Sequence, residues 1–348
     1  MKYKVSVIIP VYNTAMYLHQ CIESLMHQSL VEIEYIFIND ASTDDSLTIL
    51  QDNQRSYPKK KIIIIDLKKN QGISFVRNLG IKNATGEYIT HCDSDDWIEP
   101  KAYETLYYIA KQKDADIASC NFIHEYETYK RICQQPYSAD KYESIKRLLN
   151  GQIFPSLWTS IIKRDLIIEY NLQFPIGLNM GEDLYFNIQA YYYSKVIVAT
   201  NDVLYHYRHT TNSVCTRRSK PSIESDIKIA GLIDAFLKNN GKNNEFKNEL
   251  NYRKFYSKLE LIRNFDNTHD YKEWLQLYPE THAYIFSFKQ IEGKLRIQLW
   301  LASHHMFRLA TCIKYFLIRQ NQIRAYLRKK IIQIKRKLLV KKITTFLC

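Results

Sequence analysis

The chain has 348 residues, 46% hydrophobic and 24% charged, the balance of an ordinary globular protein long enough for one large core and an extension. Its seven cysteines (Cys21, Cys92, Cys120, Cys133, Cys215, Cys312 and Cys348) are scattered with no C-x-x-C pair, which argues against a disulfide framework or a cysteine-held zinc and for a reducing compartment. The net charge of +13 belongs to the tail: residues 293–348 hold fourteen of the 49 Lys and Arg and none of the 36 Asp and Glu, leaving 35 basic against 36 acidic elsewhere.

Residues 5–11, rich in Val and Ile, have the pattern of a strand buried on both faces of a parallel sheet. The apolar run stops at Pro10, too short for a secretory leader. Leu18, Cys21, Ile22, Leu25 and Met26 follow at helical spacing behind Asn13 or Thr14 as a cap. Residues 34–39 read as a second strand, 40–46 as a polar turn that can cap the next helix, and 62–65 as a third strand. Residues 72–84 read as a helix closed by Gly86, and 88–92 as a fourth strand. This alternation predicts an α/β doubly wound sheet, whose ligands bind outside the carboxyl ends of the strands. Tyr12-Asn13, residues 40–46 and residues 93–96 each follow a strand and so share that edge.

Asp93-Ser94-Asp95-Asp96 packs three carboxylates into four positions, a costly arrangement unless a cation neutralises them. In an extended segment Asp93 and Asp95 face the same way. Oxygen-only ligands select Mg²⁺ or Mn²⁺, and Mg²⁺ is commonly held by one or two carboxylates plus substrate phosphates. The competing reading makes Asp95 and Asp96 the cap of a helix over 97–112, with Pro100 in its first turn. No G-x-G-x-x-G follows the first strand and no G-x-x-x-x-G-K-[ST] is present, against a dinucleotide-dependent dehydrogenase and a P-loop nucleotidase.

Ser6-Val7-Ile8-Ile9-Pro10-Val11-Tyr12-Asn13, Asn39-Asp40-Ala41-Ser42-Thr43-Asp44, Asn70-Gln71-Gly72 with Arg77-Asn78, and Asp93-Ser94-Asp95-Asp96 closely resemble, in order and spacing over residues 3–120, the family 2 glycosyltransferases. Gly181-Glu182-Asp183-Leu184-Tyr185-Phe186 is similar to the family's base-bearing G-E-D-x-x-F segment and extends the resemblance to about residue 215. The resemblance implies a GT-A fold (Rossmann-like, a mostly parallel sheet with helices on both faces) and an inverting enzyme using a nucleotide-sugar donor. It implies that Pro10, Tyr12 and Asn13 line the nucleotide pocket with Tyr12 on the base, and that Asp40 accepts a hydrogen bond from uracil, making UDP the expected nucleotide. Asn70, Gly72, Ser94 and Glu182 complete the donor site, and Arg77 sits near the diphosphate or the Asp cluster. Asp95, with Asp93, is the implied ligand of Mn²⁺ or Mg²⁺. Ala41 departs from the family's usual Gly.

The chemistry is consistent with that resemblance. A divalent cation stabilises charge on the leaving phosphate, and the attacking hydroxyl needs a general base, for which Asp183 is the candidate, its pKa held upward by Glu182 and the other carboxylates. Glu182-Asp183 also reads as the acidic first turn of a helix over 184–193. Trp158, in a segment resembling the one before the base, is a stacking wall for a sugar or a core residue. Residues 205–213 resemble the family's Y-x-Y-R-x-x-x-x-S element: Arg208 and Lys220 could close over the diphosphate, and His206 could join the metal shell or be structural.

Residues 223–237 and 248–264 read as helices that support the catalytic domain or contact the acceptor. The basic tail mixes Trp300, Phe307, Tyr315, Phe316 and Tyr326 with its cations, which suits the headgroup region of an anionic membrane. An oligomerisation arm is the alternative; no nucleic-acid motif accompanies the charge. No run of about 18 uncharged apolar residues is present to span a bilayer. The expected organisation is a catalytic domain over 1–220, a helical region over 221–288 and a basic amphipathic tail over 289–348. The expected location is cytoplasmic, with residence at the inner face of the cell membrane left open. The expected acceptor is a glycan or lipid-linked glycan, a surface-glycan precursor. The rival functions are a catalytically inactive nucleotide-sugar-binding or scaffold protein on the same fold, and a nucleotidyltransferase.

Overall fold

The computed structural model describes residues 3–209, 219–264, 268–289 and 291–316, with single positions 319, 320, 322 and 330. It opens with β1 (Val5–Val11), α1 (Ala15–Met26), β2 (Ile33–Asn39), α2 (Ser46–Ser56), β3 (Lys61–Asp66), α3 (Ile73–Asn83) and β4 (Tyr88–His91). These four strands pair in parallel in the order β3-β2-β1-β4, as the strand–helix alternation predicts. β5 (Trp97–Ile98), α4 (Ala102–Lys113), β6 (Ile117–Glu125), β7 (Lys130–Cys133), α5 (Lys141–Leu149), β8 (Ser160–Lys163), α6 (Arg164–Glu169), α7 (Glu182–Tyr193) and β9 (Ile197–Arg208) follow. They extend the sheet as β4-β8-β6-β9-β5, with β8 antiparallel to both neighbours, β9 parallel to β6, and β7 paired outside on β6.

Alternation along β1 shows why the sheet has two buried faces. Val5, Val7, Ile9 and Val11 join Leu18, Cys21, Ile22 and Leu25 of α1 and Tyr103 and Leu106 of α4 in one core. Ile8 points the other way, into a second core with Val76 and Ile81 of α3, Leu148 of α5 and Phe186 of α7. α8 (Lys220–Asn239) and α9 (Lys247–Asn264) come next. α8 buries Ile229, Ile233 and Leu237 in that second core. By packing, one compact unit covers 1–253 and a second 254–348.

Two local differences from the sequence expectation bear on the site. Trp97 and Ile98 do not begin a helix; they pair with His206 and Tyr205 of β9, and α4 starts at Ala102, after Pro100. Asp95 and Asp96 consequently do not cap a helix. In the second unit, α10 (Thr268–Gln276) and α11 (Gly293–Ser303) contribute to a small core. There the buried Lys258 ammonium lies 2.8 Å from His282 Nε2 and donates to the carbonyls of Trp274, Leu277 and Tyr278, closing the carboxyl end of α10. No helix among the described residues is long and apolar enough to cross a membrane.

Candidate active site

The carboxyl ends of β1, β2 and β4 carry the three polar segments, and hydrogen bonds between them build one edge. Asn13, held at φ 52°, accepts from the Thr43 N–H at 2.8 Å, and Ser42 Oγ accepts from its amide at 3.0 Å. α1 starts at this junction, but Thr14 does not cap it with its own side chain. Asp44 accepts from the Ala15 amide at 2.9 Å, while the Thr14 hydroxyl donates to Ser94 at 3.0 Å, tying the Asp93–Asp96 loop to the β1 loop. Pro10 is buried within β1, and Tyr12 beyond it is half exposed.

Ala41 sits at φ 57°, the left-handed region that a side chain disfavours. This explains why Gly suits the position. Ala41→Gly is expected to raise stability by about 0.5–1 kcal/mol in urea unfolding, strain relief exceeding the entropy cost of glycine; a loss of stability would contradict the strain.

Asp40 is buried, and both its oxygens accept backbone amides, Gln71 N at 2.7 Å and Gly72 N at 2.9 Å. Asn70 Nδ2 lies 3.4 Å from the Asp40 carbonyl. Asp40 thus shapes the turn into α3, where Gly72 takes φ 84° as the residue before the helix. That turn points α3 so that Arg77, one turn in, reaches the carboxylates.

Arg77 is the pivot of the site. Its guanidinium, almost wholly buried, lies 2.6 Å from Glu182 Oε1 and 3.7 Å from Asp93 Oδ1. Glu182 opens α7 after Gly181, which adopts φ 79° and whose absent side chain leaves room for Asp226 of α8. The same turn presents Asp183, whose Oδ1 accepts the Leu184 amide at 2.7 Å. Arg77 therefore gathers Asp93, from the end of β4, and Glu182-Asp183, from the start of α7, into one cluster. Burial first, then the charge of Glu182, pushes the Asp183 carboxyl up to about 7 against the pull of Arg77. Burial, then Asp93, pushes Asp95 up to about 6. Asp93 is raised by burial and held back by Arg77.

Asp96 and Tyr205, to which the sequence reading gave no site role, hold the acidic loop in shape. The Tyr205 hydroxyl accepts the Asp93 amide at 3.1 Å and donates to Asp96 at 2.8 Å, and the other Asp96 oxygen accepts the Arg208 amide at 2.7 Å. Asp96 has zero exposure, and burial with Asp95 and Asp93 nearby raises its pKa well above the carboxylate range. Tyr205→Phe is expected to cost about 1–3 kcal/mol, since it strips partners from two buried groups; urea unfolding showing less than about 0.5 kcal/mol would mean that the hydroxyl does not fix the loop. The available signal was the place of Tyr205 as the first residue of the Y-x-Y-R element.

Arg208 lies across the site rather than free above it. Its Nε donates to the Asp95 carbonyl at 2.8 Å, and its guanidinium packs on Trp97 at 4.5 Å and Tyr17 at 5.1 Å. Lys220 is exposed at the first turn of α8, and Ser213 lies outside the described residues.

For two residues the sequence left two readings open, and the structure shows what holds each of them. His206 is engaged at both ring nitrogens, as its structural reading expects: its Nδ1 lies 2.8 Å from Glu125, its Nε2 2.8 Å from Glu99, and its ring stacks on Trp97. Trp158 packs in the core, the other of its two readings. It is buried against Tyr205 at 4.1 Å and Phe122 at 4.8 Å, with its side chain hydrogen-bonded to Asp93. Among the described residues no three His, Cys, Asp or Glu side chains converge as a complete metal shell. The Asp95–Asp93 pair instead fits a hard cation shared with a ligand's phosphates: two neighbouring carboxylates, each raised by burial, with the Arg77 charge directed at Asp93 and Glu182.

The comparisons with known proteins agree with this geometry. Residues 6–170 match the model of Glycosyl transferase family 2. The chain is 34% identical over 253 residues, 71% of this chain and 72% of the other, to EpsH of Bacillus subtilis (strain 168), classed as a glycosyltransferase. The chain belongs to glycosyl transferase family 2. Its fold matches S. aureus TarS 1–349 in complex with UDP-GlcNAc, with a TM-score of 0.68 at 21% identity over 92% of each chain. It also matches a mannosyltransferase, PcManGT from Pyrobaculum calidifontis, in complex with GDP-Man and Mn²⁺, with a TM-score of 0.51 at 15% identity over 91% and 86%. These structural likenesses establish a GT-A fold with a helical C-terminal extension for this family 2 member.

Proposed function

We propose that this family 2 glycosyltransferase transfers a sugar from a UDP-sugar to a hydroxyl of a glycan or lipid-linked glycan by a single inverting displacement, assisted by Mn²⁺ or Mg²⁺. The observation that carries the reading is the Arg77-centred cluster of Asp93, Glu182 and Asp183 beside Asp95. TarS crystallised with UDP-GlcNAc supports a uridine nucleotide, and PcManGT with Mn²⁺ supports the metal.

In this reading Tyr12 stacks on the base, and Asn13, Asp40, Asn70 and Gly72 form the floor of the nucleotide pocket. Asp95 and Asp93 would hold the cation, which supplies Lewis-acid stabilisation of charge on the leaving diphosphate. Ser94 keeps the loop docked on Thr14. Arg208 braces the Asp95 backbone and contributes positive charge beside the departing phosphates. Asp183 takes the proton from the attacking hydroxyl, and a carboxyl poised near neutrality suits that step. Glu182 and Arg77 position it.

The described part of the tail supports contact with an anionic membrane: Ile297, Trp300, Leu309, Tyr315 and Phe316 are exposed among basic residues. Tyr326 and most of the tail's cations lie outside the described residues.

The test is release of UDP from a panel of UDP-sugars with Mn²⁺, which requires no acceptor. One donor is expected to be hydrolysed slowly, and Asp95→Ala is expected to lower that rate at least about 100-fold, an electrostatic loss of the size seen when one charge-stabilising group is removed. No hydrolysis of any UDP-sugar, or an unchanged rate in Asp95→Ala, would defeat the reading.

A further inference from the structure

An aromatic face starts from Tyr205 and Trp158, which hold the acidic loop, and runs outward to rings that have no role in the site described above. Alternation along β6 puts Phe122, His124 and Tyr126 on one face. The pairing registers set beside them Tyr205 and Tyr207 of β9, and Arg131 across the β6–β7 hairpin. The hairpin closes through a Tyr126 amide donating to the Tyr129 carbonyl, and β9 continues through a His209 amide donating to the Glu125 carbonyl.

The rings on this face form an unbroken row. Centroid distances are 5.5 Å from Trp158 to Tyr207, 4.9 Å from Tyr207 to His209, 4.0 Å from His209 to Tyr126 and 4.4 Å from Tyr126 to Tyr129. The last two pairs are parallel within 9° and 16°. Phe154 joins the row at 6.0 Å from both Trp158 and Tyr207. Its inner end, Trp158, is hydrogen-bonded to Asp93. Its outer members are open: Tyr129 is 57% and Phe154 37% exposed.

Three features indicate what the row would take. The sheet order places β1 and β2, with the nucleotide-side loops, on one side of β4 and places β6 and β9 on the other. A ligand on the row therefore approaches Asp93 from the side opposite the nucleotide loops. The row is nearly uncharged: His124 and His209 share a ring-to-ring hydrogen bond of 2.7 Å, and burial lowers both pKa values, His124 to about 4, leaving Arg131 as its cation. Finally, an exposed tyrosine at a hairpin end ordinarily loses rotamer freedom when a ligand binds. Here Tyr126, itself stacked on His209, holds the Tyr129 ring from behind, so its open face is already ordered. A rigid, neutral aromatic face is suited to the C–H face of a pyranose ring, whose hydroxyls remain at the wet rim.

We propose that this face is the acceptor subsite, taking a neutral oligosaccharide with pyranose rings against Tyr129 and Phe154 and its receiving end toward Asp93 and Asp183. The assignment rests on the glycosyltransferase reading above and adds the class and approach of the acceptor. The test is saturation-transfer NMR and calorimetry on the full chain with three neutral tetrasaccharides: cellotetraose, chitotetraose and galactotetraose. At least one is expected to bind, and Tyr129→Ala and Phe154→Ala are each expected to weaken it about fivefold or more, the order of one aromatic contact. Both variants are expected to keep the wild-type melting temperature and acceptor-free UDP release. Binding of none to the wild-type protein, or unchanged binding in both variants, overturns the subsite. Loss of UDP release in the wild type is a separate result that strikes the donor reading and leaves the binding data to judge the subsite.

Discussion

Asp183→Asn is expected to leave UDP-sugar binding within about twofold of wild type and to lower sugar transfer about 10³-fold, the middle of the range for a general base. The wild-type rate is expected to fall about tenfold per pH unit below about pH 7, because the protonated carboxyl cannot accept the hydroxyl proton. The same shift carries a stability signature. The folded-state pKa of about 7 lies above the unfolded value near 4, so the unfolded chain releases this proton first. Stability associated with the protonated form is complete below about pH 4 and is lost as pH rises through about 7. The Asn variant escapes that loss and is expected to melt no lower than wild type at pH 8. A variant that keeps its transfer rate, or one that loses donor binding and melting temperature together, would show Asp183 to be structural.

Arg77→Met is expected to destabilise the protein by about 3–5 kcal/mol, the cost of leaving buried carboxylates without their partner. The guanidinium serves Glu182 at 2.6 Å and Asp93 at 3.7 Å from a position 8% exposed. With it removed, those carboxylates must ionise unpaired or take up protons. The deficit in urea unfolding is therefore expected to be larger at pH 8 than at pH 5. Arg77→Lys keeps the charge but lacks the planar fork that spans both partners, so an intermediate loss is expected. A loss below about 1 kcal/mol for Arg77→Met would mean that the carboxylates are already screened, and the pivot role would fail.

The sequence made the first half of the sheet legible because local signals coincide there. The Val- and Ile-rich runs of β1 and β2 can only be buried strands, and the helices between them force parallel pairing. Asp93, Asp95 and Asp183 stood out because clustered carboxylates are costly without a cationic partner, and the structure supplies one for Asp93 and Glu182 in Arg77. What remained hidden depends on pairing between distant segments. Trp97 continues the apolar period of α4, and only β9, more than 100 residues later, draws it into the sheet. The two readings of His206 stayed open because Glu99 and Glu125, which occupy its two nitrogens, lie 107 and 81 residues away. The role of Asp40 in holding the Gln71–Gly72 turn, and of Asp96 in holding Tyr205 and Arg208, likewise requires partners that no local spacing specifies. The packing of α8 was hidden for the same reason, since its apolar stripe does not say which core receives it.

The most direct test of the central claim, that Asp95 and Asp93 hold a cation for a uridine nucleotide, is calorimetric titration of UDP into the protein with Mn²⁺ and with EDTA. Wild type is expected to bind at least about tenfold more tightly with Mn²⁺, and Asp95→Ala to bind equally weakly in both, as linkage through a shared metal requires. UDP binding indifferent to Mn²⁺, or a Mn²⁺ effect that survives Asp95→Ala, would contradict the account.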